Sequence, residues 1–330
     1  MRALLSLLLL AGCTADVDPL TVEDAFELSA NPAVDVLFVV DDSNSMVDIQ
    51  SGVAASWAAF SAPLAAADWQ VGVTTTDFDD PNKRGRLRPM IGDDRVLDPL
   101  DANPAAAFAA AITAGVEGSQ IERGLQSAWA AVTAPLASFE NAGLVREEAR
   151  LAVVIASDED DCSDEGALGE APATDCQTRP DLLVPTADWG TRFAGLKGAL
   201  GDVNVHALVE SGDVETGCGL ANPGSRYLTV ARASGGLVLP PCGDFGASMA
   251  RLGAEIAGQR RVYPLSRTAE ALSITVTVDS LTAGTAALPE DAVGTTGWSY
   301  DAEANVVHLG DDVVLTTDSI VRIAYIVATS

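Results

Sequence analysis

The side chains best suited to chemistry in this sequence are oxygen donors. Asp41-Asp42-Ser43-Asn44-Ser45 sets a carboxylate and two hydroxyls at alternate positions of one short segment. Ser157-Asp158-Glu159-Asp160-Asp161 supplies a second run of carboxylates, and Gly118-Ser119-Gln120 a further hydroxyl. Asp41, Ser43, Ser45, Ser119 and Asp158 together would suit a hard divalent cation. Mg2+ takes octahedral oxygen ligands and keeps several waters, and Ca2+ or Mn2+ accept the same donors. Hydroxyl ligands carry no charge, so such an ion would stay net positive and capture an anionic group from a partner.

Two other acidic groups stand nearby in sequence, Asp77, Asp79, Asp80 and Asp160, Asp161, Asp164. Either could hold Ca2+, though neither has the spacing of an EF-hand loop, and in so acidic a chain solvated loop residues are the preferred reading. The two histidines, His206 and His308, are too few for a multi-histidine zinc site or for most histidine acid–base catalysis. Lys83 and Lys197 are the only lysines, and neither is expected near the oxygen-rich segments. A metal-assisted hydrolase built on Asp41 and Asp158 therefore lacks a base, and His206, inside a strand-like run, reads as a core residue.

Asp plus Glu number 47 against 19 Lys plus Arg, for a net charge of −28 over 330 residues. Nothing in that balance can neutralise a run of phosphates, so nucleic acid is excluded as a general partner. Docking by charge on an anionic membrane is excluded for the same reason. At 48% apolar and 20% charged residues the chain can bury a core.

The elements that must position the oxygens alternate between strand and helix from about residue 33 to 260. Val34–Val40 and Leu151–Ala156 are nearly continuous apolar runs, as expected of strands buried on both faces. Gln70–Thr75 and Val203–Val209 are two more strands, with Arg86–Met90 a candidate antiparallel partner and Gly236–Leu239 a short edge. Met46, Ile49, Val53, Trp57 and Phe60 recur at helical steps, as do Ile121, Leu125, Trp129, Val132 and Leu136. Trp189, Phe193, Leu196 and Leu200 mark a third helix, Arg226–Arg232 a short one, and Phe245, Met249, Leu252 and Ile256 the last. This order predicts an α/β fold, a doubly wound, mostly parallel open sheet with helices on both faces. Ligands of such sheets bind beyond the carboxyl ends of the strands, which places the segments after Val40, Thr75 and Ala156 on one rim. From residue 261 to 330 helical stripes give way to strand patterns at Leu272–Val278, Trp298–Tyr300, Val306–Leu309 and Ile320–Val327, a small all-β, sandwich-like module.

Residues 1–12 combine one positive charge, a short apolar run and small residues, the pattern of a secretory signal peptide. The run is too short for a permanent membrane span. Residues 13–32 show no clear period and read as a tether. Apart from Cys13 the cysteines are Cys162, Cys176, Cys218 and Cys242, an even number suited to two disulfides in an exported chain. Three connectivities are open; Cys162–Cys176 with Cys218–Cys242 is favoured because each closes a short loop.

Leu10-Ala11-Gly12-Cys13 resembles the lipobox of bacterial lipoproteins. The resemblance implies cleavage before Cys13, lipidation of that cysteine and a lasting membrane anchor. Thr14, not Asp, follows it, which favours the outer membrane. The oxygen-rich segments resemble the von Willebrand factor type A domain and its metal-ion-dependent adhesion site over about residues 33 to 260. Asp41, Ser43 and Ser45 fall on the family's Asp-x-Ser-x-Ser, Asp158 on its later aspartate, and Ser119 near its usual threonine. Asp158-Glu159 stands where the family has Asp-Gly. The stretch from Val154 to Ser163 is similar to a subgroup of exported lipoproteins, notably from myxobacteria. The resemblance implies a non-enzymatic, lipid-anchored envelope protein that binds Mg2+, or Ca2+ or Mn2+, and through it an Asp, a Glu or another anionic group of a protein partner. The alternative is a structural envelope component whose β module makes the contacts.

Overall fold

A computed structural model describes residues 19–28, 32–90, 92–169, 174–199, 201–212, 218, 222–258, 260–291, 295–316 and 318–328. The signal-like segment 1–12 and Cys13 lie outside the described residues. The strands are β1 (Thr21–Glu27), β2 (Ala33–Val40), β3 (Asp68–Thr75), β4 (Arg150–Ala156), β5 (Val203–Leu208) and β6 (Val238–Leu239). The helices are α1 (Val47–Ala55), α2 (Trp57–Ser61), α3 (Pro104–Ile112), α4 (Gly124–Val132), α5 (Thr174–Thr178), α6 (Thr186–Ala194), α7 (Ser225–Ala233) and α8 (Phe245–Ile256).

Strands β2 to β6 form one parallel sheet in the order β3-β2-β4-β5-β6. Its two faces carry separate cores, because successive β2 side chains point to opposite sides. Val34, Val36, Phe38 and Val40 pack with residues of α1, α2, α3 and α8. Leu37 and Val39 pack with residues of α4, α6 and α7. The α/β class therefore holds, with helices on both faces. The stripe from Met46 to Phe60 runs through α1 and α2, interrupted at Ser56, whose hydroxyl donates to Gly52 O at 2.8 Å. α3 has no counterpart in the sequence reading. It is alanine-rich, and Phe108 anchors it 5.0 Å from the Phe38 ring and 4.8 Å from Trp57.

Arg86–Met90 is not a strand. Arg88 N–H donates to Val73 O at 2.7 Å, but Leu87 turns into the core and has its own N–H bound by Asn141. The β3 edge instead bridges Leu97, through paired bonds with Val71 at 2.8 and 2.9 Å.

The remaining strands are β7 (Val262–Pro264), β8 (Thr275–Ser280), β9 (Gly284–Leu288), β10 (Trp298–Asp301), β11 (Val306–Leu309) and β12 (Ser319–Ile326). They form two antiparallel sheets, β1-β12-β8-β9 and β10-β11-β7, around Phe26, Tyr263, Val276, Trp298, Val321 and Tyr325. β1 thus corrects the expected tether. Residues 21–27 pair with β12 over seven positions, from Thr21–Ile326 to Glu27–Ile320. The alternation is masked in sequence because one inward position is Asp24, buried as the acceptor for Ser266 N–H (2.8 Å) and Tyr325 Oη–H (2.9 Å).

Both favoured disulfides are present, Cys162–Cys176 and Cys218–Cys242, with Cα separations of 5.5 and 5.9 Å. Among the described residues no helix is long and apolar enough to cross a membrane.

Phe26 is 6% exposed, with its ring centre 5.0 Å from that of Tyr263. Phe26→Ala is expected to lower stability by about 3–5 kcal/mol, the range for buried Phe truncations, in equilibrium urea unfolding. A tether residue would give no change.

Candidate metal centre

The chain passes from β2 to β3 on one side and then crosses to β4 on the other, so β2 and β4 are neighbours at a topological switch point. Their connections leave in opposite directions and open a crevice at the carboxyl ends. Asp41 is the first residue beyond β2, and its N–H still donates to Ala156 O at 2.9 Å. Its side chain is fully buried. Oδ1 accepts the Ser43 N–H at 2.8 Å and Oδ2 the Ser157 hydroxyl at 2.6 Å. Gln50 Nε2 donates to Asp41 O and to Gly115 O, both at 2.8 Å, fastening the turn from beneath. Burial pushes the Asp41 carboxyl up to about 7; Ser157 and Ser43 work against that, and the charge of Asp158 adds to it.

Ser43 is 3% exposed, and its Oγ, close to the same carboxylate, has no partner of hydrogen-bond geometry. Asp158 Oδ1 is likewise buried and unpartnered. Ser45 is exposed on the turn entering α1. Ser119 is engaged elsewhere: its hydroxyl donates to Asp79 Oδ2 at 2.7 Å and accepts the Ile121 N–H at 3.0 Å. Asp41, Ser43 and Asp158 therefore gather at the crevice, whereas Ser119 faces the β3 side.

Glu122, absent from the sequence reading, is the further residue of this site. It lies in the segment leading into α4, is 1% exposed, and no basic or neutral donor reaches either carboxyl oxygen. Burial, then the charges of Asp41 and Glu159 and a hydrogen bond with the Glu159 carboxyl, push it up to about 10. Its backbone is held on both sides: Cys162 N–H donates to Glu122 O at 2.6 Å, and Arg123 N–H to Thr76 O at 3.1 Å. The available signal was an acid at the junction of the Gly-Ser-Gln segment with an apolar helical stripe. Nothing local says that it turns inward.

Around these residues run ion pairs. Lys83 Nζ sits 2.6 Å from Asp42 Oδ2 and 2.8 Å from Asp77 Oδ2, so a lysine does reach the rim, contrary to the sequence expectation. Burial opposes its charge, but the two carboxylates outweigh burial and raise it, which leaves Lys83 no use as a base. Arg123 bridges Asp164 (2.6 Å) and Asp79 (2.8 Å), and Arg226 meets Asp161 at 3.1 Å. Asp161 Oδ1 also accepts the Leu125 N–H in the first turn of α4. Asp77, Asp161 and Asp164 are thus buried and paired rather than solvated, because the loops fold over them. Gly118 N–H donates to Asp42 O at 2.8 Å, and a side chain at Gly118 would collide with the Asp42 carboxylate. His206 is buried as expected. Its Nδ1 accepts the Leu237 N–H at 2.9 Å, and burial together with Arg260 and Arg150 pushes it down to about 3.

Among the described residues no three His, Cys, Asp or Glu side chains already surround a metal position. The donor set is a mixture of hydroxyl and carboxylate oxygens, several without partners, which fits a hard cation. Beside it opens a cleft of about 240 Å3 lined by Ser43, Asn44, Gln120, Glu159, Asp160 and the Cys162–Cys176 disulfide.

Neither a protein-family model nor a curated protein matches the chain. Solved structures similar to it include the pilus adhesin SpaC from Lactobacillus rhamnosus GG in its open conformation, at 12% identity and TM-score 0.43 over 92% of this chain and 40% of that one. Proximal thread matrix protein 1 from the mussel byssus aligns at 11% and 0.36 over 73% and 51%, and the human COPII-coat protein Sec24c at 10% and 0.39 over 93% and 42%. The chain spans about half the length of these proteins or less.

Glu122 holds its proton in the fold up to about pH 10, whereas the unfolded chain releases it near 4.5. Its contribution is therefore complete below 4.5 and lost as pH rises toward 10, at up to about 1.4 kcal/mol per unit. In chelator, Glu122→Gln is expected to raise the melting temperature at pH 8 and leave it unchanged at pH 4. Equal effects at both values would refute the buried carboxyl.

Proposed function

We propose that residues 33–260 form a von Willebrand factor type A domain, and that its crevice is a metal-ion-dependent adhesion site on an exported, lipid-anchored envelope protein. The carrying observation is Asp41 at the switch point of a parallel sheet, with the Ser43 hydroxyl and Asp158 Oδ1 buried beside it and unpartnered. Asp41, Ser43 and Asp158 would hold Mg2+, Ca2+ or Mn2+. Ser45 lies on the same turn, and Ser119 joins only by leaving Asp79. When bound, the ion supplies positive charge at the rim, to which an Asp, a Glu or another anionic group of a protein partner binds. The two disulfides support an oxidising compartment; attachment through a lipidated Cys13, to the outer membrane, follows from the lipobox resemblance. Catalysis has little support, since Lys83 is locked between carboxylates and His206 is buried.

A second reading, a structural envelope component with contacts made by the β module, has one observation in its favour. The edge strand β9 is exposed along most of its length and carries no charged side chain, and so lacks a common protection against pairing with another chain.

The test is thermal melting of the chelated protein with added Mg2+, Ca2+ or Mn2+. Metal at a hundred times its dissociation constant should stabilise the wild type by about 2.7 kcal/mol, and Asp41→Ala should abolish the gain. A gain retained in Asp41→Ala would put the ion elsewhere. Partner binding unchanged in Asp41→Ala at saturating Mg2+ would overturn the adhesion role.

A further inference from the structure

Buried carboxylates in the α/β part of this protein are compensated one by one. Asp35 has Arg146 at 2.7 Å, Asp42 and Asp77 share Lys83, Asp161 has Arg226, and Asp164 has Arg123. Glu210 accepts two backbone N–H groups, and Glu255 accepts the Arg261 N–H within the field of Arg260. Asp41 has two hydrogen-bond donors but no cation. Glu122 is buried with no basic partner, and its side-chain hydrogen bond is to another acid, Glu159. Ionised and unpaired, a buried carboxylate costs several kcal/mol, so Glu122 keeps its proton unless a cation is bound, and it cannot swing out cheaply, because its backbone is fastened to Cys162 and its neighbour's to Thr76. Its side chain lies near Asp41 and meets the Glu159 carboxyl, so its charged neighbours there are themselves acids.

We infer that Glu122 is itself a ligand of the divalent ion, and that it makes the site selective for Ca2+ over Mg2+. The inference rests on the metal-site reading above. Mg2+ demands near-ideal octahedral geometry and is usually held through one or two carboxylates with waters. Asp41, Asp158 and Glu122 with Ser43 make a richer acidic set, and Glu159 adds charge at its edge. Ca2+ accepts six to eight oxygens, mono- or bidentate carboxylates and irregular geometry.

Calorimetric titration of the chelated full chain with Ca2+ and with Mg2+ tests this. Wild type is expected to bind Ca2+ at least tenfold tighter than Mg2+. Glu122→Gln should lose at least tenfold in Ca2+ affinity while Mg2+ affinity moves less than threefold, and Glu303→Gln, at an exposed acid of the β module, should bind as wild type. Melting curves in chelator establish that each variant is folded. Wild-type Ca2+ affinity in Glu122→Gln, or Mg2+ bound as tightly as Ca2+, overturns the role of Glu122. If Asp41→Asn abolishes binding while Glu122→Gln does not, the metal site stands and this inference alone falls. If Asp41→Asn binds as wild type, or wild type binds neither ion, both fall.

Discussion

Carboxylates gathered at the carboxyl ends of β2, β3 and β4 repel one another across an interior that screens poorly, and much of the surrounding architecture contains that charge. The containment is also the connection between loops. Lys83 joins Asp42, after β2, to Asp77, after β3. Arg123 joins Asp79, after β3, to Asp164, after β4. Arg226 ties α7 to Asp161. Removing the cation of such a pair leaves Asp42, Asp77, Asp161 or Asp164 buried and without its counter-charge, so the pairs hold the rim in register even where their net contribution to stability is modest.

Main-chain and covalent links act on the same loops. Cys162 donates its N–H to Glu122 O and is bonded through sulfur to Cys176, so the segment after β4 is held against the one leading into α4. Closing a loop of this length contributes about 3 kcal/mol in the chain-entropy picture. The result is a crevice whose backbone is fixed while several of its oxygens are unsatisfied. A fixed backbone around unsatisfied oxygens is what the proposed metal site would need. It is hard to account for as packing, since apolar residues there would cost less.

The β module has a different logic. Its first strand comes from the amino-terminal side of the parallel sheet and its remaining strands from the carboxyl-terminal side, so the chain leaves the module before β2 and re-enters it at β7. Arg260 sits at that re-entry, over the rings of Phe26 and Tyr263 at 5.4 and 5.5 Å, with its Nη1 donating to Gly201 O. One side chain thereby touches β1, β7 and the turn before β5.

Much of the fold was legible because hydrophobic periodicity is local. The apolar runs of β2 and β4, the stripes of α1, α4, α6 and α8, the change of pattern after residue 261 and the pairing of four cysteines each depend on residues close in the chain. Asp41, Ser43 and Asp158 were legible as a set because each follows or lies next to a strand end, and parallel strands bring their carboxyl ends to one side. β1 was hidden by the inward Asp24, whose partners Ser266 and Tyr325 lie at the other end of the sequence. Glu122, Lys83 and the burial of Asp77, Asp161 and Asp164 were equally hidden. Whether an acid is solvated, paired or left bare depends on what stands within a few ångströms of it, and those neighbours come from loops far apart in sequence. The sequence by itself determined which oxygens the chain possesses and which elements carry them. Tertiary structure alone decided which are satisfied, because charge compensation depends on distance in space and not on order along the chain.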